Sequence, residues 1–121
     1  MDIIELRDYC LDKPGVTESF PFDSNTLVFK VLDKMFALTN VEHYVSVNLK
    51  CDPEWAEELR ATTTLIKPGY HMNKKHWNTV ESAQFPDSAL LRKMIDHSYD
   101  LVVSKLTKAQ KEALKKGPPT G

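Results

Sequence analysis

Two β-prone runs separated by a tight turn constrain the fold of this chain more than any other feature. Thr26 to Leu32 is rich in β-branched and aromatic residues, Asp33-Lys34 makes the turn, and Met35 to Asn40 resumes the pattern. So short a link admits an antiparallel pair and excludes a parallel one, which needs a crossover of about a dozen residues or more. After Val41-Glu42-His43, the run Tyr44 to Lys50 alternates Val45, Val47 and Leu49 with Tyr44, Ser46 and Asn48. The expectation is a three-stranded antiparallel meander over 26–32, 35–40 and 44–49, with one face buried.

Helical patterns flank the meander. Asp2 can cap a helix over 3–12 in which Ile3, Leu6 and Cys10 recur at helical spacing, and Lys13-Pro14-Gly15 ends it. Residues 16–25 read as loop. Asp52-Pro53 starts a second helix, over 53–62, with Trp55, Ala56 and Leu59 on its apolar side. Short strands are expected near 64–67 and 77–82. Pro86-Asp87 opens the longest helix, 88–105, striped by Leu90, Leu91, Met94, Ile95, Ser98, Leu101 and Val102. Thr107-Lys108-Ala109-Gln110 is a capping-box pattern before a short, Lys-rich last helix. The order α-β-β-β-α-β-β-α-α predicts an α+β fold of two layers, helices packed on a five-stranded antiparallel sheet. Leu6, Leu59, Met94, Ile95 and Val102 should lie between the layers. One domain is expected over 1–116, and the Pro/Gly-rich 117–121 reads as a flexible tail.

The 121 residues, 41% hydrophobic and 27% charged, have the composition of an ordinary globular domain. No apolar run approaches the ~20 residues of a membrane span. The N-terminus lacks the basic head and apolar stretch of a secretory signal, so the cytoplasm is the expected compartment. Cys10 and Cys51 have no Cys-x-x-Cys neighbour and read as small buried residues in reducing surroundings. Net charge is only −1, but residues 1–58 carry five Lys/Arg against twelve Asp/Glu, and residues 59–121 carry eleven against five. A chain so polarised can present one cationic face, and folding can equally mix the halves.

Between Glu58 and Glu81 there is no carboxylate, whereas Arg60, Lys67, His71, Lys74, Lys75 and His76 all fall there. They are interleaved with Tyr70, Trp77 and the amides Asn73 and Asn78. Cations suit phosphates, while rings and amides suit what lies between phosphates, so the run points to nucleic acid. Lys67, Lys74 and Lys75 are candidate phosphate contacts. His71, Asn73 and His76 would shape the loop or donate to phosphate or base edges, and Tyr70 would face the ligand. Arg60 precedes the run and adds a cation. Lys74 and Lys75 read equally well as solvated turn residues. Trp77 either stacks on a base or is buried at the start of a strand. Burial is favoured, because Trp is highly buried on average, and its odd spacing from Val80 sends the two side chains to opposite faces.

Pro68, His71, Asn73-Lys74, His76-Trp77 and Val80, with Lys13-Pro14-Gly15, Glu18 and Pro21-Phe22 before them, resemble the signature of the small bacterial MmcQ/YjbR proteins. Leu49-Lys50-Cys51-Asp52-Pro53-Glu54 and Ser98-Tyr99 extend the resemblance over residues 1 to about 106. It implies the same two-layer fold and adds Lys50, at a strand end near the basic run, to the candidate contacts. It also implies DNA binding, since family members are usually described so through the likeness of their fold to winged DNA-binding architectures. The implied fold looks like secretion-chaperone-type domains as well, which keeps a protein partner open.

Catalytic and metal chemistry find little footing. His71 and His76 are five apart, wrong for one helical face, and no carboxylate or cysteine lies within the run to complete a ligand set. His97 and Ser98 are adjacent on a helix, so their side chains diverge. Ser46 and Ser82 lack the Gly-x-Ser-x-Gly turn of an exposed nucleophile. Asp96 and Asp100 read as a solvated acidic edge, and Gly15 and Gly69 as turns after prolines. The expectation is a cytosolic protein without cofactor, metal or catalytic activity that binds nucleic acid, double-stranded DNA first. The alternative is a protein-interaction module that takes a partner peptide on its sheet face or in a helix groove.

Overall fold

The computed structural model describes residues 1–116; the expected tail at 117–121 lies outside them. In chain order the elements are α1 (Ile3–Leu11), β1 (Val16–Ser19), β2 (Thr26–Val31), β3 (Lys34–Asn40), β4 (Val47–Lys50), α2 (Pro53–Thr62), β5 (Ile66–Pro68), β6 (Trp77–Val80), α3 (Ser88–Ser104) and α4 (Lys108–Lys116). The strands form one sheet in the order β1-β2-β3-β4-β6-β5, and every neighbouring pair is antiparallel. Helices α1 and α3 pack on one face of it, with α2 beside β5. This is the two-layer α+β arrangement that the sequence predicts, and the expected caps form. Asp2, Asp52 and Asp87 accept from the backbone N–H of Glu5, Trp55 and Leu90, and Thr107 and Gln110 complete the capping box ahead of α4.

Three local expectations are corrected. The sheet has six strands, because Val16–Ser19, expected as loop, pairs with β2. This edge strand is short and carries Glu18, which binds Arg7 of α1 at 2.8 Å. A brief, charged edge guards against pairing with other chains and hides the apolar alternation that marks an inner strand. The β2–β3 turn is Leu32-Asp33, not Asp33-Lys34; both residues have positive φ, 45° and 67°, as a two-residue hairpin matched to strand twist requires. The third strand starts only at Val47. Tyr44 turns towards the core, its hydroxyl bound to Met1 O and Ser82 Oγ, and Val45 is left 51% exposed. The expected inward alternation therefore fails at 44 and 45.

The main core holds Leu6, Leu59, Met94, Ile95 and Val102 as expected, with Phe29, Phe36, Leu49, Ile66 and Leu91. Phe36 is an extra residue: Phe29 pairs with Ala37 but Lys30 with Met35, so β3 bulges and both Phe36 and Ala37 reach the helix-side core. The bulge leaves Phe36 O and Lys50 N–H without strand partners. Ser98 of α3 supplies both: its hydroxyl donates to Phe36 O (2.5 Å) and accepts from Lys50 N–H (2.8 Å). Asp96, expected at a solvated edge, instead takes Lys13 Nζ at 2.5 Å and the Tyr9 hydroxyl at 2.7 Å. It ties the exit of α1 to α3.

Candidate nucleic-acid interface

The face of the sheet away from the helices is open, and strand alternation decides what it shows. Phe29, Ala37, Leu49 and Val80 point to the helices, so Val28, Leu38, Lys50 and Trp77 point the other way. Val28, Leu38 and Trp77 form a second, small cluster there, with Met35 and Met72 packed on it. Trp77 is thus a buried residue (8% exposed), as favoured from the sequence, and it lies on the opposite face from Val80. Its burial is under the 69–76 loop, not against the helices.

The loop is tied to this face by its own backbone and by Arg60. Gly69 N–H donates to Trp77 O (2.8 Å), and a side chain at Gly69 would stand 2.7 Å from Trp77 Cβ, so only glycine fits. The side chain of Asn73 accepts from Lys75 N–H and its carbonyl from the N–H of His76 and Trp77, which makes it the organiser of the turn. His71 sits in the left-handed region at φ 58°, its ring 4.0 Å from that of Tyr70. Tyr70 N–H donates to Thr79 Oγ1, whose own hydroxyl donates to Asn48. Arg60 reaches in from α2. Its Nε donates to the buried Asn78 side chain (2.7 Å), and its Nη2 donates to Trp77 O (3.1 Å) and to Lys74 O. The guanidinium holds the loop.

The remaining candidates divide clearly. Tyr70, His71, Asn73, Lys74, Lys75 and His76 are exposed along one loop, with Lys67 on the strand that leads into it. Lys67 is 3.3 Å from Glu81, and Lys74 Nζ rests on Gly69 O, a neutral acceptor that leaves its charge uncompensated. Lys50 is half-buried beside Trp77 on the open face. Between the loop and the 20–26 segment lies a groove of about 820 Å³, floored by Leu38, Asn48 and Thr79. Tyr70 (68% exposed) and Phe22 (63%) stand among its lining residues.

The residues weighed for catalysis are occupied elsewhere. The Ser98 hydroxyl is enclosed at the bulge. His97 Nε2 accepts from Asp52 N–H (3.1 Å), and burial holds its pKa below the ordinary histidine value, in keeping with a neutral ring that accepts. Among the described residues no group of three or more His, Cys, Asp or Glu is placed to hold a metal ion.

A family model named YjbR matches residues 11–101. The chain belongs to the YjbR family. It is 38% identical to YjbR of Escherichia coli K12 over 116 residues, covering 94% of this chain and 98% of that one. It is 39% identical to YbdF of Escherichia coli O157:H7 over 108 residues, 88% of each chain. Both relatives are described as uncharacterised. Among solved structures, a Deinococcus radiodurans protein, DR2400, superposes with a TM-score of 0.85 at 43% identity, over 98% of this chain and 93% of that one. A Pseudomonas syringae protein superposes with a TM-score of 0.71 at 28% identity, over 84% and 98%.

In this YjbR-family chain, sequence reasoning missed Phe22, Asn48 and Thr79 as parts of the candidate site. Asn48 was legible as outward-facing from strand alternation. Phe22 and Thr79 were not, because only the sheet order brings their segments to one groove. The exposed loop lysines lead to a plain expectation. Lys74→Ala and Lys75→Ala should each change unfolding free energy by no more than ~0.5 kcal/mol, as exposed substitutions do, which urea titrations would check.

Proposed function

We propose that this protein binds nucleic acid through the 67–76 segment and the adjoining open sheet face, and performs no covalent chemistry. The observation that carries the reading is the loop itself. Lys74 and Lys75 are exposed and form no ion pair among the described residues, and they follow a ring pair, Tyr70 and His71, held out to solvent on the same loop. Cations at this density with no carboxylate within the run attract phosphate, and exposed rings accept bases. The cytoplasm suits the thiols: Cys10 and Cys51 are free and buried, and burial pushes both up to about 12, far from the thiolate range. No helix among the described residues is long and apolar enough to cross a membrane. Duplex DNA is the partner expected from the sequence.

Fluorescence anisotropy against salt tests the reading. With Lys50, Lys67, Lys74 and Lys75 on phosphates, the log–log slope should lie near −3 to −4, at ~0.9 per contact on a duplex and ~0.7 on a single strand. Replacing Lys74 and Lys75 together by Ala should flatten it by about two and weaken unrelated sequences alike. A second reading has its own observation: Phe22 and Val45 are exposed apolar residues that line the groove, as in a module that takes a partner peptide. Absence of salt-sensitive binding to any oligonucleotide would favour that second reading.

A further inference from the structure

We infer that the groove over the open sheet face takes a single strand, its bases stacked on Tyr70, His71 and Phe22; this rests on the nucleic-acid reading above. A duplex hides its bases and is read by elements that protrude into its grooves, a helix or a two-stranded ribbon. The surface here is the reverse, a recess of about 820 Å³ with a floor of Leu38, Asn48 and Thr79 and walls from the 20–26 and 69–72 segments. Rings that line a recess have nothing to stack on in a duplex, whereas splayed bases of a single strand meet them face to face.

The recess itself is close to neutral, with Lys67 and His71 among its lining beside the carboxylates Asp23 and Glu81, the latter 3.3 Å from Lys67. The cations for a strand's phosphates are therefore those of the loop, Lys74 and Lys75. Strand alternation puts Lys30, Lys50 and Lys67 on the open face, and of the three Lys67 lines the recess. At the floor the Thr79 hydroxyl is spent on Tyr70 N–H and the Asn48 oxygen, which fixes the Asn48 amide and leaves its second N–H for a base edge. A peptide would not gain as much. The neighbouring edge strand β5 has three residues, one of them Pro68, and offers little for strand addition.

The test is anisotropy with a labelled single-stranded DNA 12-mer of mixed sequence and a hairpin duplex of the same composition, on the full chain. Two variants probe the walls. Tyr70→Ala removes an exposed ring, and His71→Gly removes the other while relaxing a backbone already in the left-handed region. The single strand should bind at least about tenfold more tightly than the hairpin, and each variant should weaken it about five- to tenfold at unchanged salt slope and melting temperature. Duplex binding equal to or tighter than single-strand binding would overturn the inference and leave the nucleic-acid reading standing. So would a single-strand preference that both variants retain at full strength. Salt-sensitive binding of neither probe would remove both readings together.

Discussion

Trp77→Ala should lower the unfolding free energy by about 3–5 kcal/mol, the range for truncating a buried large aromatic. The indole is the largest member of the cluster with Val28 and Leu38, and Met72 of the loop packs on that cluster. Its removal leaves a cavity between the sheet and the loop that the small cluster cannot close, and it frees Met72. The loss should have a local signature as well. Gly69 N–H, bonded to Trp77 O, should exchange faster with solvent in the variant than amides of β2 and β3. Urea unfolding and amide exchange read the two parts separately. A variant that melts like the parent while losing nucleic-acid binding would make the ring a stacking platform and reverse the roles assigned here.

Ser98→Ala should cost about 2–4 kcal/mol, an unusual amount for one hydroxyl. The side chain is fully buried and serves two backbone groups that the bulge has parted, Phe36 O and Lys50 N–H. Each buried group left without a partner costs ~1–3 kcal/mol. The urea midpoint should fall with little change in slope, because the surface exposed on unfolding is unchanged. A shift below ~0.5 kcal/mol would mean that the bulge closes or admits water once the hydroxyl is gone.

Much of this architecture was legible in the chain because its signals are local. The stripe from Leu91 to Val102, the Asp caps and the alternation of Val47 and Leu49 each follow from a few consecutive residues. What escaped reading depends on distant partners. β1 looks like loop because an edge strand needs few apolar residues and this one has Glu18 held by Arg7. Tyr44 points inward because Met1 and Ser82 offer its hydroxyl partners, and nothing near position 44 announces them. The candidate site was legible as a chemistry, in its cations, rings and amides. Which side chains build the loop and which face solvent was not. Arg60 reads as one more cation in the run, yet its partners are Asn78 and the carbonyls of Lys74 and Trp77.

The sheet also works as a partition. Helices and the large core occupy one side, and the loop with its five-residue cluster occupies the other. Substitutions on the two sides share few neighbours, so their effects should add nearly independently. Substitutions in the loop can therefore alter the open face while the helix side keeps the domain folded.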